Sequence, residues 1–340
     1  MTTTKITIRI KPSVNKNNLK TIVKRQLGKN GPFVSPIGLG AMGMSSIYTT
    51  NSTNEDEHLK VLNAAIDMGC TFWDTADAYG PFTNEELIAK VLKTRRNEVF
   101  ICTKFGFVIT ENGFGISGTR DHVKKACNDS LKRLGIDQID LYYQHRPDPN
   151  VEIEETVKAM AELVKEGKVK YLGLSECTAD QIRRAYKIHP IHAYQVEFSP
   201  WHRNIETDGR LQACRELGIA IIAYSPLGRG FLTGAIRSLD DLKDGDWRKN
   251  NPKFQPGTFE KNFKLVEAFE KLAAKKGVKP SQLCLAWVLS HGTDFIPIPG
   301  TKRLSYLEEN WKSKDVTLSA EELAEINQII SEIPIEGAQY

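Results

Sequence analysis

The first 54 residues contain no aspartate or glutamate, although they carry eight lysines and arginines. The whole 340-residue chain sums to +4, so the remainder stands at −4 and has none of the basic excess that nucleic acid attracts. An acid-free start is also the composition of an organellar targeting segment. Here it shows no helical periodicity and Pro12 interrupts it early, so residues 1–20 read as a solvated extension, with a short strand in the alternating stretch ITIRIK. No apolar run approaches the roughly 18 residues of a membrane span, and the N-terminus lacks the apolar core of a signal peptide. The six cysteines form no CxxC pair, and several lie inside apolar runs. That pattern excludes a zinc site and a disulfide framework, and predicts buried thiols in a reducing, cytoplasmic or cytoplasmic and nuclear, setting. No Pro/Gly/Ser-rich linker divides the chain, which predicts one domain over residues 21–340.

What is present is a repeat of strand and helix. Apolar, β-branched runs of strand length occur at 36–40, 71–75, 99–104, 140–145, 169–175, 193–199, 220–225 and 295–299. They are apolar throughout rather than alternating, as strands buried on both faces are. Amphipathic stretches separate them. In NEDEHLKVLNAAIDMG, Asn54 or the acids after it open the helix and Gly69 ends it; Thr119 and Gly135 bracket the next such stretch. Eight units in a chain of this length predict a (β/α)8 barrel in the α/β class. The stretch from Leu227 to about Phe259, rich in glycine and charge, predicts a functional loop over the barrel mouth. Helices after Thr301 and over 319–331 would close the ring and cap its outside.

The segment GLGAMG, residues 38–43, satisfies GxGxxG, but no helix opens at Gly43 as a Rossmann site requires. Its glycines read instead as room for a ligand's close approach, with Gly43 and Met44 beside it. Reactive side chains of a (β/α)8 barrel sit at the C-terminal ends of the strands. Those ends carry Asp74, Lys104, His145, Ser175 with Glu176, Gln195, Tyr224 with Ser225, and Thr301 with Lys302 and Arg303; Tyr79 follows just past Asp74. A tyrosine with a pKa near 10 is a poor acid near neutrality, and a neighbouring ammonium would lower that value. Asp74 would pair with Lys104, Lys104 would tune Tyr79, and His145 would orient a carbonyl oxygen. Such a set is a proton donor for a carbonyl that receives a hydride.

Over about residues 22–332 the sequence resembles the aldo-keto reductases. The motifs are GCTFWDTADAYG, FICTKFG, RLGIDQIDLYYQHRPD, EGKVKYLGLSE, YQVEFSPWHR, GIAIIAYSPLGRGFLTG and PIPGTKRLSYLEEN, and the combination is most similar to the branch of pyridoxal reductases and perakine-reductase-like enzymes. The resemblance implies a barrel plugged at its base by an N-terminal β-hairpin, and an NADP(H)-dependent reductase of aldehydes and ketones. It puts the catalytic tetrad on Asp74, Tyr79, Lys104 and His145. It puts the nicotinamide amide on Ser175 and Gln195, the stacking ring on Tyr224, and the pyrophosphate on Ser225, Leu227, Gly228 and Gly230. Beside Gly300 and Thr301, Lys302 and Arg303 would meet the 2′-phosphate, with Glu309 and Asn310 at the adenine. Glu176 stands where many family members have Asn. The expected partner is a small carbonyl compound, with no metal, nucleic acid or membrane, and a monomeric or weakly self-associating chain. Candidate pocket walls Met44, Phe105, Phe107 and Trp201 favour an aromatic or heterocyclic aldehyde such as pyridoxal. A redox-sensing subunit of the potassium-channel β type shares the fold and is the alternative.

Overall fold

The computed structural model describes residues 22–45, 54–110 and 113–339, so the strand expected in ITIRIK lies outside the described residues. A small hairpin comes first: β1 (Arg25–Gln26) pairs antiparallel with β2 (Phe33–Val34). The barrel then begins with β3 (Leu39–Gly40), β4 (Phe72–Asp74) and β5 (Phe100–Phe105). A second antiparallel hairpin, β6 (Phe107–Thr110) with β7 (Gly113–Ile116), follows β5 and lies outside the eight expected strand runs. The barrel resumes with β8 (Ile139–Gln144), β9 (Val169–Ser175), β10 (Ala193–Glu197), β11 (Ala220–Tyr224) and β12 (Phe295–Pro297). These eight strands, β3 to β5 and β8 to β12, form one all-parallel sheet in chain order. A parallel bridge between Gly40 and Gly300, with the Gly38 and Gly40 N–H groups donating to Pro297 and Pro299, joins its two edges. The result is the (β/α)8 barrel that the strand count predicts.

Helices follow the strands as expected. The first, α1 (Glu55–Met68), opens on the Asn54 side chain, which accepts from the Glu57 N–H, and ends at Gly69 in the left-handed region. Next come α2 (Thr83–Arg95), α3 (Arg120–Leu134), α4 (Ile153–Lys165), α5 (Ala179–Ile188) and α6 (Arg210–Leu217). After β11 come a series of short 3-10 turns, then α7 (Thr258–Lys276) and α8 (Pro280–Ser290); α9 (Leu304–Lys312) and α10 (Ala320–Glu332) finish the chain.

The barrel's interior places the site. Leu27 and Val34 of the first hairpin join the cluster of Phe72, Cys102, Leu141, Tyr143, Ala193 and Ile222 that fills it. Along a strand, side chains two apart share a face. Phe72, Cys102, Tyr143, Ala193 and Ile222 point inward, and two residues on come Asp74, Lys104, His145, Gln195 and Tyr224. An apolar layer is therefore followed, toward the C-terminal mouth, by a polar one. The layer is tight: a Cβ on Gly173 would lie 2.3 Å from the Tyr143 ring.

Gly38 and Gly40 of GLGAMG serve this packing. A Cβ on Gly38 would meet the Phe72 ring at 2.6 Å, and one on Gly40 would meet the Ile298 carbonyl at 2.8 Å. Gly38 and Gly40 admit neighbouring strands at the barrel seam, which accounts for these two glycines without a ligand. Met44 is likewise 1 % exposed and part of the core, so its side chain lines no pocket.

Candidate active site

Lys104 is fully buried and donates in three directions: to Asp74 Oδ1 at 2.5 Å, to the Thr75 carbonyl at 2.8 Å and to the Tyr79 hydroxyl at 3.1 Å. Every ammonium proton is used, as a buried cation demands. The second Asp74 oxygen accepts from Gln195 Nε2 at 2.7 Å. Asp74, Lys104, Tyr79 and Gln195 thus form one hydrogen-bonded unit drawn from β4, its following loop, β5 and β10. Asp74 and Tyr79 hold the Lys104 ammonium above its ordinary pKa despite burial.

Tyr79 departs from expectation. Burial raises its pKa, and Lys104 and Arg146 only partly oppose that rise. The expected lowering by Lys104 is present in sign but is outweighed, because burial of the hydroxyl itself disfavours the phenolate. Tyr79 is therefore firmly protonated.

His145 follows β8 directly, and its backbone N–H donates to the Phe105 carbonyl at 2.7 Å. Its ring stands edge-on to Tyr79, centroids 5.7 Å apart, and edge-on to Phe107 at 4.8 Å. Burial, Lys104 and Arg146 push its pKa well below 6.5, so the ring is neutral. Its buried Nδ1 has no hydrogen-bond partner among the described residues. Of the expected pocket walls, Phe107 alone stands against the tetrad. Phe105 is core, and Trp201 is buried against Phe231 and Phe254.

The other expected residues lie along the same mouth. Ser175 ends β9 and is fully buried, 3.4 Å from Arg146 Nη1. Glu176 takes a left-handed backbone, φ +55°, and its carboxylate is shared by Arg210 and the Tyr224 hydroxyl. Ser225 (φ +48°), Gly228 (φ +56°), Arg229 (φ +57°) and Gly230 (φ +91°) wind a tight loop around Leu227. The Gly228 and Gly230 N–H groups donate back to the Ser225 and Leu227 carbonyls at 2.9 and 3.1 Å, which closes the turn on itself. Thr301 Oγ1 accepts from the Arg303 N–H at 3.2 Å and sets the turn carrying Lys302. Glu309 instead ties α9 to α8 by accepting from the Ser281 hydroxyl, and Asn310 is buried on α9.

Sequence reasoning missed part of this site. The charged groups acting on Lys302 are Arg303, Lys243 and Arg248, and with burial they lower its pKa. The last two come from the long excursion after β11. Its basic residues, flanked by Asp244 and Asp246, were the available signal, but nothing local says which strand end they overhang. Asp77 is a second omission. It is 4 % exposed, its Oδ1 lacks a partner among the described residues, and burial and Glu85 push its pKa up to about 7.

An inward-facing Asp–Lys–Tyr unit with a neutral histidine, at the C-terminal mouth of a barrel, now stands beside a cationic turn. Residues 36–331 match the aldo/keto reductase family. The chain belongs to that family. It is 48% identical over 321 residues to aldo-keto reductase str7 of Strobilurus tenacellus, covering 92% of this chain and 93% of that one. It is 45% identical over 326 residues to aldo-keto reductase yakc [NADP(+)] of Schizosaccharomyces pombe, covering 94% and 95%. Among solved structures it is similar to an aldo/keto reductase from Klebsiella pneumoniae in complex with NADP and acetate, with a TM-score of 0.70 and 26% identity over 93% of this chain and 98% of that one. This aldo-keto reductase has no helix among its described residues long and apolar enough to cross a membrane.

Proposed function

We propose that this aldo-keto reductase is an NADPH-dependent reductase of aldehydes and ketones, with Tyr79 as the proton donor and Asp74, Lys104 and His145 completing the tetrad. The observation that carries the reading is the Lys104 ammonium held between Asp74 Oδ1 at 2.5 Å and the Tyr79 hydroxyl at 3.1 Å. When bound, NADPH supplies the hydride. The oxygen of the carbonyl then gathers negative charge, and Tyr79 releases its proton to it. Even with its pKa raised, Tyr79 can protonate that oxygen, because an alkoxide is a far stronger base than a phenolate. Lys104 stabilises the phenolate left behind, and Asp74 keeps Lys104 charged and in place. His145, neutral and beside Tyr79, orients the carbonyl oxygen.

The cofactor fits the residues present. Lys302 and Arg303 follow one another at the turn after Thr301, as the 2′-phosphate of NADP(H) needs, and Arg248, which acts on Lys302, is itself paired with Asp246. The loop of Ser225, Leu227, Gly228 and Gly230 suits the pyrophosphate, Tyr224 the nicotinamide ring, and Ser175 with Gln195 the carboxamide. The relative from S. pombe carries NADP(+) in its name, and the K. pneumoniae neighbour holds NADP. For substrates, Phe107 against His145 favours aromatic and heterocyclic aldehydes, and the resemblance to the pyridoxal-reductase branch puts pyridoxal among those to try.

The test is NADPH consumption against a panel of aldehydes, in the parent and in Tyr79→Phe. The variant should bind NADPH normally and lose about 10²–10⁴-fold in turnover, the usual range for a general acid. Turnover within a few-fold of the parent would remove Tyr79 from the chemistry.

A further inference from the structure

Residues 333–339 leave α10 and return to the C-terminal mouth of the barrel. Two features fix their course. Asn262 on α7 donates to the Glu336 carbonyl at 3.1 Å and accepts from the Glu336 N–H at 2.9 Å. Gly337, at φ +93°, lies against the backbone of Pro252 and Lys253, where a Cβ would come within 2.8 Å of Lys253 N. Only a glycine passes so close in that conformation.

Gln339 is thereby delivered between the ends of β10 and β11. Its carbonyl accepts from Asn251 Nδ2 at 3.0 Å and from Arg229 Nη1 at 3.4 Å. Its side-chain amide nitrogen donates to Glu197 Oε2 at 2.9 Å and to the Tyr224 hydroxyl at 3.2 Å. That hydroxyl donates onward to Glu176 Oε1 at 2.9 Å, and Glu176 Oε2 accepts from Arg210 at 3.0 Å. Donors and acceptors fit without conflict. The Tyr224 hydroxyl accepts on one side and donates on the other, so the ring cannot swing without breaking both bonds.

We propose that Gln339 is a positioning residue that, together with Glu176, clamps the Tyr224 hydroxyl and so holds the ring in the orientation against which the nicotinamide stacks. The proposal rests on the reading of Tyr224 as the stacking ring. It gives Glu176 a role different from the asparagine found there in many family members: the carboxylate serves the tyrosine, because Arg210 and Tyr224 already claim both its oxygens. It also ties the tail to Arg229, in the loop assigned to the pyrophosphate, through the same residue.

A double-mutant cycle read by NADPH fluorescence titration tests this. Gln339→Ala and Tyr224→Phe should each weaken NADPH binding by about 3–10-fold, the worth of one hydrogen bond. The double variant should be no weaker than Tyr224→Phe alone, since removing the hydroxyl already breaks the bond that Gln339→Ala breaks. Melting temperatures should not move, because Asn262 and Gly337 hold the tail independently. Unchanged NADPH affinity in Gln339→Ala, or effects that add in the double variant, would overturn the clamp. Tyr224→Ala separates the two levels. If deleting the ring weakens NADPH but Gln339→Ala does not, the clamp alone is wrong; if deleting the ring changes nothing, the stacking assignment beneath it is wrong as well.

Discussion

Asp74 is a carboxylate at the end of a buried strand, and Lys104 together with Gln195 accounts for it. Removing one member of a buried pair typically costs about 3–5 kcal/mol, since the other charge is stranded. Asp74→Ala should therefore lower both activity and stability, whereas Tyr79→Phe lowers activity alone. Asp74→Asn combined with Lys104→Met should recover much of the stability and none of the activity, because the introduced amide oxygen can still accept from Gln195. Denaturant melts decide it: a double variant no more stable than Asp74→Ala would mean that the pair is not the structural unit. Asp77, two residues before the tyrosine, is buried without an ion pair among the described residues. Its native pKa of about 7 exceeds the usual 3.8, so the folded state binds the extra proton between those values and stability falls as pH rises through that window. The facing charges are Glu85, which raises the value, and Arg133 and Lys104, which lower it. Above pH 7 the full penalty, on the order of 4 kcal/mol, is present. Asp77→Asn should accordingly stabilise at pH 8 and be near neutral at pH 4, as paired thermal melts would read; a gain that is equal at both pH values would place the effect elsewhere. The identities at strand ends were legible because topology alone gathers them. The balance of burial against charge at Tyr79 was not, because it depends on how many groups desolvate the hydroxyl.

At the scale of elements, strand order and helix caps follow from local pattern. Asn54, Gly69 and Gly135 bound their helices as read, whereas Thr119 stands at its N-cap without a side-chain bond. The β6–β7 hairpin escaped notice because Gly106, Gly113 and Gly115 break its alternation. The seam role of Gly38 and Gly40 was not legible for a related reason: a glycine announces close approach but not by whom. Gly40→Ala tests that role. Its Cβ would press on the Ile298 backbone carbonyl, which cannot step aside, and overpacking of this kind costs about 1–3 kcal/mol. A melt unchanged by Gly40→Ala would return these glycines to a ligand-facing role.

Across the whole molecule, the site assembles from segments far apart in sequence. The turn at Thr301–Arg303 stood out in the sequence by its paired cations, the feature on which the proposed 2′-phosphate contact rests. Lys243, Arg248 and the Gln339 tail did not, because loop residues carry no periodicity that says where they land. Lys302→Ala should weaken NADPH about 10–150-fold, the worth of a charge-assisted contact, and leave NADH nearly untouched. Equal losses for both cofactors would remove the 2′-phosphate from this turn. The central claim is that hydride and proton reach one carbonyl from the nicotinamide and Tyr79. NADPH deuterated at the transferable position, mixed with an aromatic aldehyde, measures it directly. The account predicts one deuterium on the alcohol carbon, formed at least about 10²-fold more slowly by Tyr79→Phe at unchanged NADPH affinity. An alcohol without the label, or equal rates for the two proteins, would contradict it.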